Sequence, residues 1–310
     1  MNQLIETTSD ALTKQDFHAL AEIPPELEWW ANFSNPKTQR AYRLDIQDFM
    51  AFASIASPQD MRSVTRAHVI AWRTALEQRP SAPSTIRRKL AALASLFDYL
   101  CEHQAVAHNP VAGVKRPRSQ SGQGLTPTIS DEEARAAIEK PNPKTLKGKR
   151  DRAILATYLF HAVRREELVN LKVEDRQARG GVPHLKIHGK GGKLRFIPLH
   201  PQAQRLIEEY LEEAGHAEDN KGPLFRPVRN RTNGILDKHL HLNSLYDIVK
   251  EYTGVGNHAL RKTSATNALS NDADIAKMRD WLGHADISTT QIYDGRTFRA
   301  EDSPTFRVKF

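Results

Sequence analysis

The twenty residues NPVAGVKRPRSQSGQGLTPT, positions 109 to 128, divide the chain. Proline, glycine, serine and glutamine dominate them, and no apolar period survives, which is the composition of a linker rather than of a packed element. A chain interrupted in this way folds as two bodies, and 310 residues are enough for each to bury its own core. The division expected is a polar leader over 1–23, a helical domain over 24–114, a basic linker over 115–127, a second domain over 128–296 and a tail over 297–310.

Ahead of the linker the apolar residues recur at helical spacing. PPELEWWANF opens the series, and NPKTQRAYRLDIQDFMAFASI places Tyr42, Leu44, Ile46, Phe49, Met50 and Phe52 mainly on one face. In SVTRAHVIAWRTALEQR, Ser63 or Thr65 can cap a helix whose face carries Val69, Trp72 and Leu76. In SAPSTIRRKLAALASLFDYLCEH the stripe is Ile86, Leu90, Leu93, Leu96, Phe97 and Leu100. Arg87, Arg88 and Lys89 in its first turns are either a solvated face or a basic face for DNA.

After the linker, Ser130 with Glu133 three residues on is a capping box. GKRDRAILATYLFHAVRREELVNLKVEDR reads as helix, with Ile154, Leu155, Tyr158, Leu159, Val163 and Leu168 at spacings of three and four. The period then changes. PHLKIHGKGGKLRFIPL is two short strand-like runs around a glycine-rich turn, hence a hairpin. QAQRLIEEYLEEAG and LNSLYDIVKEYTG are helical again, and the tail SPTFRVKF is strand-like.

Charge narrows the partners. Lysine and arginine number 45 against 37 acidic residues, a net +8, which favours a polyanion, nucleic acid before an acidic membrane surface. Lys115, Arg116 and Arg118 suit a strap crossing a phosphate backbone. No apolar run approaches the roughly 20 residues that span a bilayer. MNQLIETTSDALTKQDF has neither the basic nor the apolar region of a signal peptide. The single cysteine, Cys101, cannot form an internal disulfide and fits a reducing, cytoplasmic setting. The histidines form neither an HExxH nor a Cys/His cluster, so no metal site is expected.

Four segments of the second domain offer groups suited to a phosphodiester: Arg164, Lys190 at the hairpin turn, His258 with Arg261, and His284 with Tyr293. His258 and Arg261, three apart, share a helix face. Gly283 stands where a left-handed helix cap belongs, so His284 projects just beyond a helix end and Tyr293 lies one to two turns into the next. Each also has an ordinary reading. Arg164 could pair with Glu166 and Glu167 at the surface, Lys190 could be a solvated turn residue, and Tyr293 a core tyrosine with a wet tip.

In this order, however, the boxes resemble those of the tyrosine recombinase, or phage integrase, family. R-x-x-E-L appears as Arg164 to Leu168, and G-K-G-x-K-x-R-x-x-P-L as Gly189 to Leu199. H-x-L-R appears as His258 to Arg261, and L-G-H followed by tyrosine as Leu282, Gly283, His284 and Tyr293. TQRAYRLDIQDFMAF, STIRRKLAALASLFDYL and NPVAGV resemble the family's core-binding domain, so the likeness covers roughly residues 25 to 295. One departure is His161-Ala162-Val163, where the family commonly has Thr-Gly-Leu.

The resemblance implies a mainly α, two-domain fold: a SAM-like helical bundle, then a mixed α/β catalytic domain with a small antiparallel sheet, the DNA breaking-rejoining fold. It implies a site-specific recombinase that cuts and rejoins DNA through a 3′-phosphotyrosine at Tyr293, without metal, ATP or other cofactor. Arg164 and Arg261 then grip the phosphate, His258 and His284 donate hydrogen bonds, His258 takes the tyrosine proton, and Lys190 protonates the leaving 5′ oxygen. Glu167 is cast as orienting Arg261 or a neighbour. Lys193 and Arg195 on the hairpin, with Arg87, Arg88, Lys89, Lys115, Arg116 and Arg118, are read as DNA contacts. The partners implied are duplex DNA with an inverted-repeat core site, three further copies of the chain in a tetramer on two sites, and accessory DNA-bending proteins. The setting implied is the bacterial nucleoid, with no membrane. The tail is expected either to dock on a neighbouring copy or to pack on its own domain. A type IB topoisomerase-like enzyme and a DNA-binding protein of this fold without catalysis are the rival readings.

Overall fold

Proline and hydroxyl or amide side chains set the starts of the N-terminal helices. In the computed structural model, which describes residues 13–118, 127–229 and 234–291, these are α1 (Lys14–Ala21), α2 (Pro25–Ala31), α3 (Pro36–Ala53), α4 (Pro58–Arg62), α5 (Arg66–Gln78) and α6 (Pro83–Glu102). Asn35 caps α3 by accepting from the Lys37 amide at 2.9 Å, with Pro36 in the first turn, where no amide is missed. Ser57 and Asp60 form a capping box on α4. The described residues fall into two compact units, one ending at residue 118 and the other starting at residue 127.

In the first unit, α6 packs against α2, α3 and α5. Every residue of the stripe from Ile86 to Leu100 is buried, with Val69, Trp72 and Leu76 of α5 and Phe49 of α3. The Phe49 and Trp72 rings meet edge to face at 5.0 Å, a geometry that aligns positive edge with negative face. On α3 the expected face is too broad. Leu44 and Phe52 are 56% and 36% exposed, while Asp45 lies buried in the same helix. The reason is that Asp45 meets Arg88 and Lys89 of α6, so a buried ion pair occupies a strip that hydrophobicity alone assigns to apolar residues. The leader contains α1, begun by a Thr13–Asp16 capping box and burying none of its residues.

The second unit is built on α8 (Leu146–His161), following α7 (Asp131–Glu139) with its Ser130–Glu133 box. Helix α8 is buried on nearly every side, covered by α7, by α10 (Pro201–Ala214) and by α12 (Asn257–Ser270), with α11 (Leu242–Thr253) packing on α7. The stretch 148–176 is not the single helix its spacing suggests. It breaks at Ala162, φ +46°, resumes as α9 (Arg165–Val169), and ends in a 3₁₀ turn at Val173–Asp175. Val163 and Leu168 are buried on both sides of the break, so the apolar rhythm continues where the backbone does not.

Next come β1 (Arg176–Arg179), β2 (Val182–His188) and β3 (Leu194–Pro198), an antiparallel sheet in that order. The hairpin expected over 183–199 is β2–β3, with Leu185 opposite Ile197 and Ile187 opposite Arg195. Strand β1 lies outside the expected hairpin; Gly180 and Gly181, both at positive φ, make the two-residue turn that joins it to β2. Helices α13 (Ile275–Leu282) and α14 (Ser288–Gln291) close the described chain. Among the described residues no helix is long and apolar enough to cross a membrane.

His161, at the end of α8, is wholly buried and satisfied as a neutral ring. One ring nitrogen, Nε2, accepts from the His200 amide at 3.0 Å, so Nδ1–H donates to the Thr157 carbonyl at 3.1 Å. Burial lowers its pKa to about 4. An unfolded histidine titrates near 6.5, so acidification through the window from about 6.5 to 4 protonates the unfolded chain first. Stability from this residue is full above that window and falls by on the order of 3 kcal/mol across it. Denaturant unfolding at pH 7 and pH 4.5 checks this. The loss should shrink in His161→Gln, and an equal loss in both proteins contradicts the assignment.

Candidate active site

Helix α13 ends in Gly283 at φ +65°. The His284 amide donates to the Arg279 carbonyl at 3.0 Å and the Gly283 amide to the Asp280 carbonyl at 3.1 Å, a Schellman closure. That leaves the carbonyls of 281 to 283 without helical partners. Three arginines from three other elements take them. Arg195 Nε of β3 donates to Trp281 at 3.2 Å, Arg261 of α12 to Leu282 at 2.6 Å, and Arg164, the residue before α9, to Gly283 at 2.9 Å. The negative end of the helix dipole favours the same cations.

A carboxylate ties two of the three together. Glu167, 6% exposed, accepts from Arg164 Nη1 at 2.8 Å and from the Arg164 amide at 2.7 Å. On its other side Arg195 meets it with both terminal nitrogens, at 2.8 and 2.7 Å. Burial alone would raise this carboxyl; the Arg195 fork and the Arg164 bonds bring it down to about 2, so it stays ionised.

Arg261 is buried and donates also to the carbonyl of Ala162 and, at 3.1 Å, to His284 Nε2. Guanidinium only donates, so Nε2 is an acceptor and Nδ1–H donates to the buried Thr290 hydroxyl at 2.9 Å. Burial, then the charges of Arg261, Arg164 and Arg195, hold His284 down at about 4, so the ring is neutral. The sequence suggests a donor here; in this arrangement Nε2 is an acceptor that steadies Arg261. Ala162, in the left-handed region where the family pattern has glycine, still presents its carbonyl to Arg261, packed under Leu269, Met278 and Leu282. His258, at the start of α12, is exposed. Partial desolvation of the ring, then the charges of Arg261 and Lys262, lower its pKa, which favours the neutral form able to accept a proton.

The structure thus brings Arg164, Glu167, Arg261 and His284 together. Lys190 lies at the β2–β3 turn, between residues tied by a Gly189 amide to Lys193 carbonyl bond of 2.7 Å, but its side chain, like Tyr293 and the 297–310 tail, lies outside the described residues. Residues 119–126 of the linker lie outside them too. Of the two alternatives for Glu167, Arg261 or a neighbour, the hydrogen bonds favour the neighbours Arg164 and Arg195. One expectation changes. Arg195 faces inward: it shares the core side of β3 with Ile197, and only 13% of its side chain is exposed. Strand alternation in LRFIPL could have revealed this, since Arg195, Ile197 and Leu199 share a face.

Of the other basic residues, Lys89 is covered and shared between Asp45 and Asp48, and Arg88 pairs with Asp45. Arg87, exposed, donates to the Pro117 carbonyl at 3.3 Å, and Arg73 to that of Lys115 at 3.3 Å, which fixes the start of the basic strap to the first unit. Lys115, Arg116, Arg118 and Lys193 are exposed.

Gly283 offers a direct check of the cage. A Cβ there would stand 3.0 Å from Arg195 Nη1, whose fork Glu167 holds in place, and the positive φ adds strain. Gly283→Ala is expected to cost about 1–2 kcal/mol of unfolding free energy, read by denaturant titration. An unchanged stability would mean that the cage is loose.

The chain matches the model of the "Phage integrase family" over residues 128–299 and that of the "Phage integrase, N-terminal SAM-like domain" over 32–104. It is 33% identical over 274 residues to tyrosine recombinase XerC of Pelobacter propionicus, covering 86% of this chain and 87% of that one. To tyrosine recombinase XerD of Listeria monocytogenes serovar 1/2a it is 30% identical over 267 residues, with 83% and 86% covered. Among solved structures, XerH bound to palindromic difH in a post-cleavage complex superposes with TM-score 0.67 at 21% identity, over 92% of this chain and 87% of that one. A lambda integrase tetramer bound to a Holliday junction superposes with TM-score 0.66 at 15% identity, over 94% and 80%; these two likenesses speak for the fold. The four boxes, the arginine cage and both family matches agree: this chain belongs to the phage integrase family, the tyrosine recombinases.

Proposed function

We propose that this chain is a site-specific DNA recombinase acting through a phosphotyrosine. The observation that carries the reading is the convergence of Arg164 and Arg261, from distant parts of the sequence, on one helix end beside His284. Planar guanidinium forks suit two non-bridging phosphate oxygens and stay charged at any working pH. Phosphoryl transfer asks mainly for such placed charge.

In the proposed reaction the Tyr293 oxygen attacks the scissile phosphorus as its proton passes to His258. The bond from phosphorus to the 5′ oxygen breaks, and Lys190 gives that oxygen its proton. The products are a 3′-phosphotyrosine and a free 5′-hydroxyl. The 5′-hydroxyl of another strand then reverses the step, so bond energy is conserved and no ATP is consumed. Arginine charge serves where a magnesium ion otherwise would, and no cofactor is invoked. Exposed Lys115, Arg116, Arg118, Lys193 and Arg87 are proposed phosphate contacts. Four copies acting on two inverted-repeat sites, with DNA-bending partners, in the bacterial cytoplasm at the nucleoid, complete the proposal. The names of the relatives and the Holliday-junction complex of a structural neighbour support it.

The test is covalent capture. Nicked duplexes made from genomic DNA flanking the gene are incubated with the protein in EDTA, then denatured. A DNA-linked protein band is expected, with its DNA enriched in one inverted-repeat sequence. A wild-type chain that captures nothing loses the catalytic reading, and relaxation of supercoils without sequence enrichment favours a topoisomerase.

A further inference from the structure

The sequence places Arg195 among the DNA contacts, whereas in the structure its guanidinium is held in an ion pair with the buried Glu167. Arg195 sits on the core-facing side of β3, opposite Ile187 and two residues before buried Ile197. Its three guanidinium nitrogens are committed: Nε to the Trp281 carbonyl at 3.2 Å, and the two terminal nitrogens to the two oxygens of Glu167 at 2.8 and 2.7 Å. Glu167 in turn holds Arg164 by its side chain and its backbone amide.

Resting on the recombinase reading above, we propose that Arg195 is a positioning residue for strand cleavage: through Glu167 and the end of α13 it sets where Arg164 presents its guanidinium to the scissile phosphate. The physical argument is one of geometry. A carboxylate held by Arg164 alone could swing with that long side chain. A second fork, bidentate from the opposite side and anchored on a strand, fixes the plane of the carboxylate and so the direction in which Arg164 is held. Trp281 and Gly283 accept from Arg195 and Arg164 respectively. The two arginines are therefore registered to one helix end as well as to one carboxylate. The hairpin that carries Lys190 also carries Arg195, so this ion pair ties the hairpin to the rest of the cage.

The experiment uses the full chain and the duplex recovered by covalent capture, with DNA affinity and the single-turnover rate of covalent-complex formation measured separately at saturating protein. Arg195→Ala is expected to hold DNA within about threefold of wild type and to form the complex about 100-fold more slowly, the scale of one lost electrostatic aid to the transition state. Arg195→Lys keeps the charge without the fork and is expected to recover only part of the rate. In a Glu167→Gln background, Arg195→Ala should add less than about threefold, because residues acting through one another are not additive. A merely structural residue would lower the amplitude of the reaction, through the folded fraction, and leave its rate constant alone. Loss of DNA affinity in step with rate, multiplying effects in the double variant, or a wild-type rate in Arg195→Lys each overturn the proposal. If Arg195→Ala does not fold, Arg195→Lys and its Glu167→Gln double decide by the same criteria. A wild-type chain that forms no complex overturns the recombinase reading first, and the wild-type arm distinguishes that case.

Discussion

Arg261→Ala is expected to form the covalent complex about 10³-fold more slowly than wild type while holding DNA within about tenfold. The effect is large because one side chain does two things. Its guanidinium is proposed to bind a phosphate oxygen on which charge gathers in the transition state. It also links three parts of the site, donating to the Ala162 and Leu282 carbonyls and to His284 Nε2. Alanine takes the donor from the buried Ala162 and Leu282 carbonyls, at about 1–3 kcal/mol each, so part of the loss will be disorder of the helix ends. Arg261→Lys separates the contributions. It retains a charge near the phosphate but cannot span three acceptors in one plane, and its rate should remain far below wild type. DNA affinity comes from many contacts along the backbone, so it should survive in both variants. Equal loss of affinity and rate would place Arg261 among the DNA contacts and not in the chemistry.

Tyr293→Phe is the more absolute case. It removes one oxygen and leaves the ring, so packing and DNA affinity should be unchanged within about threefold, as for surface or near-isosteric changes. Covalent complex should be undetectable, since the atom proposed to form the bond is gone. Gel mobility for binding and denaturing electrophoresis for linkage read the two effects side by side. Covalent complex in this variant would mean that another group is the nucleophile.

Much of this site is legible in the sequence, and for a physical reason. Boxes such as HALRKT and LGH combine a residue type that chemistry requires with a backbone position that only some residues tolerate. Gly283 is a clear instance: its glycine predicts the left-handed helix end, and the structure has φ +65° there. The stripes of α5 and α6 were equally readable, because helices that bury one face repeat at fixed spacing. Other features have no local signature. Ala162 breaks α8 without glycine or proline, and nothing in YLFHAVRREEL marks the break. Strand β1 is three polar residues and an alanine, visible only through the two glycines that follow it.

The arginine cage was the least legible feature. The pairing of Glu167 with Arg164, three residues away, is readable from spacing, but its second partner, Arg195, lies 28 residues away and is not. Acceptors that are backbone carbonyls, such as those of residues 281 to 283, carry no side-chain identity for a sequence to display. Asp45 makes the same point in the first unit. A buried charge is paired from another helix, so Arg88 and Lys89 looked like a free basic face until that helix was in place.

In the proposed reaction the strand is cut by Tyr293. Digesting the captured protein–DNA complex with protease and nuclease, then sequencing the modified peptide by mass spectrometry, tests it most directly. A nucleotide joined through its 3′-phosphate to Tyr293, in the peptide that follows His284, is expected. A nucleotide on any other residue, or one attached through its 5′-phosphate, would contradict it.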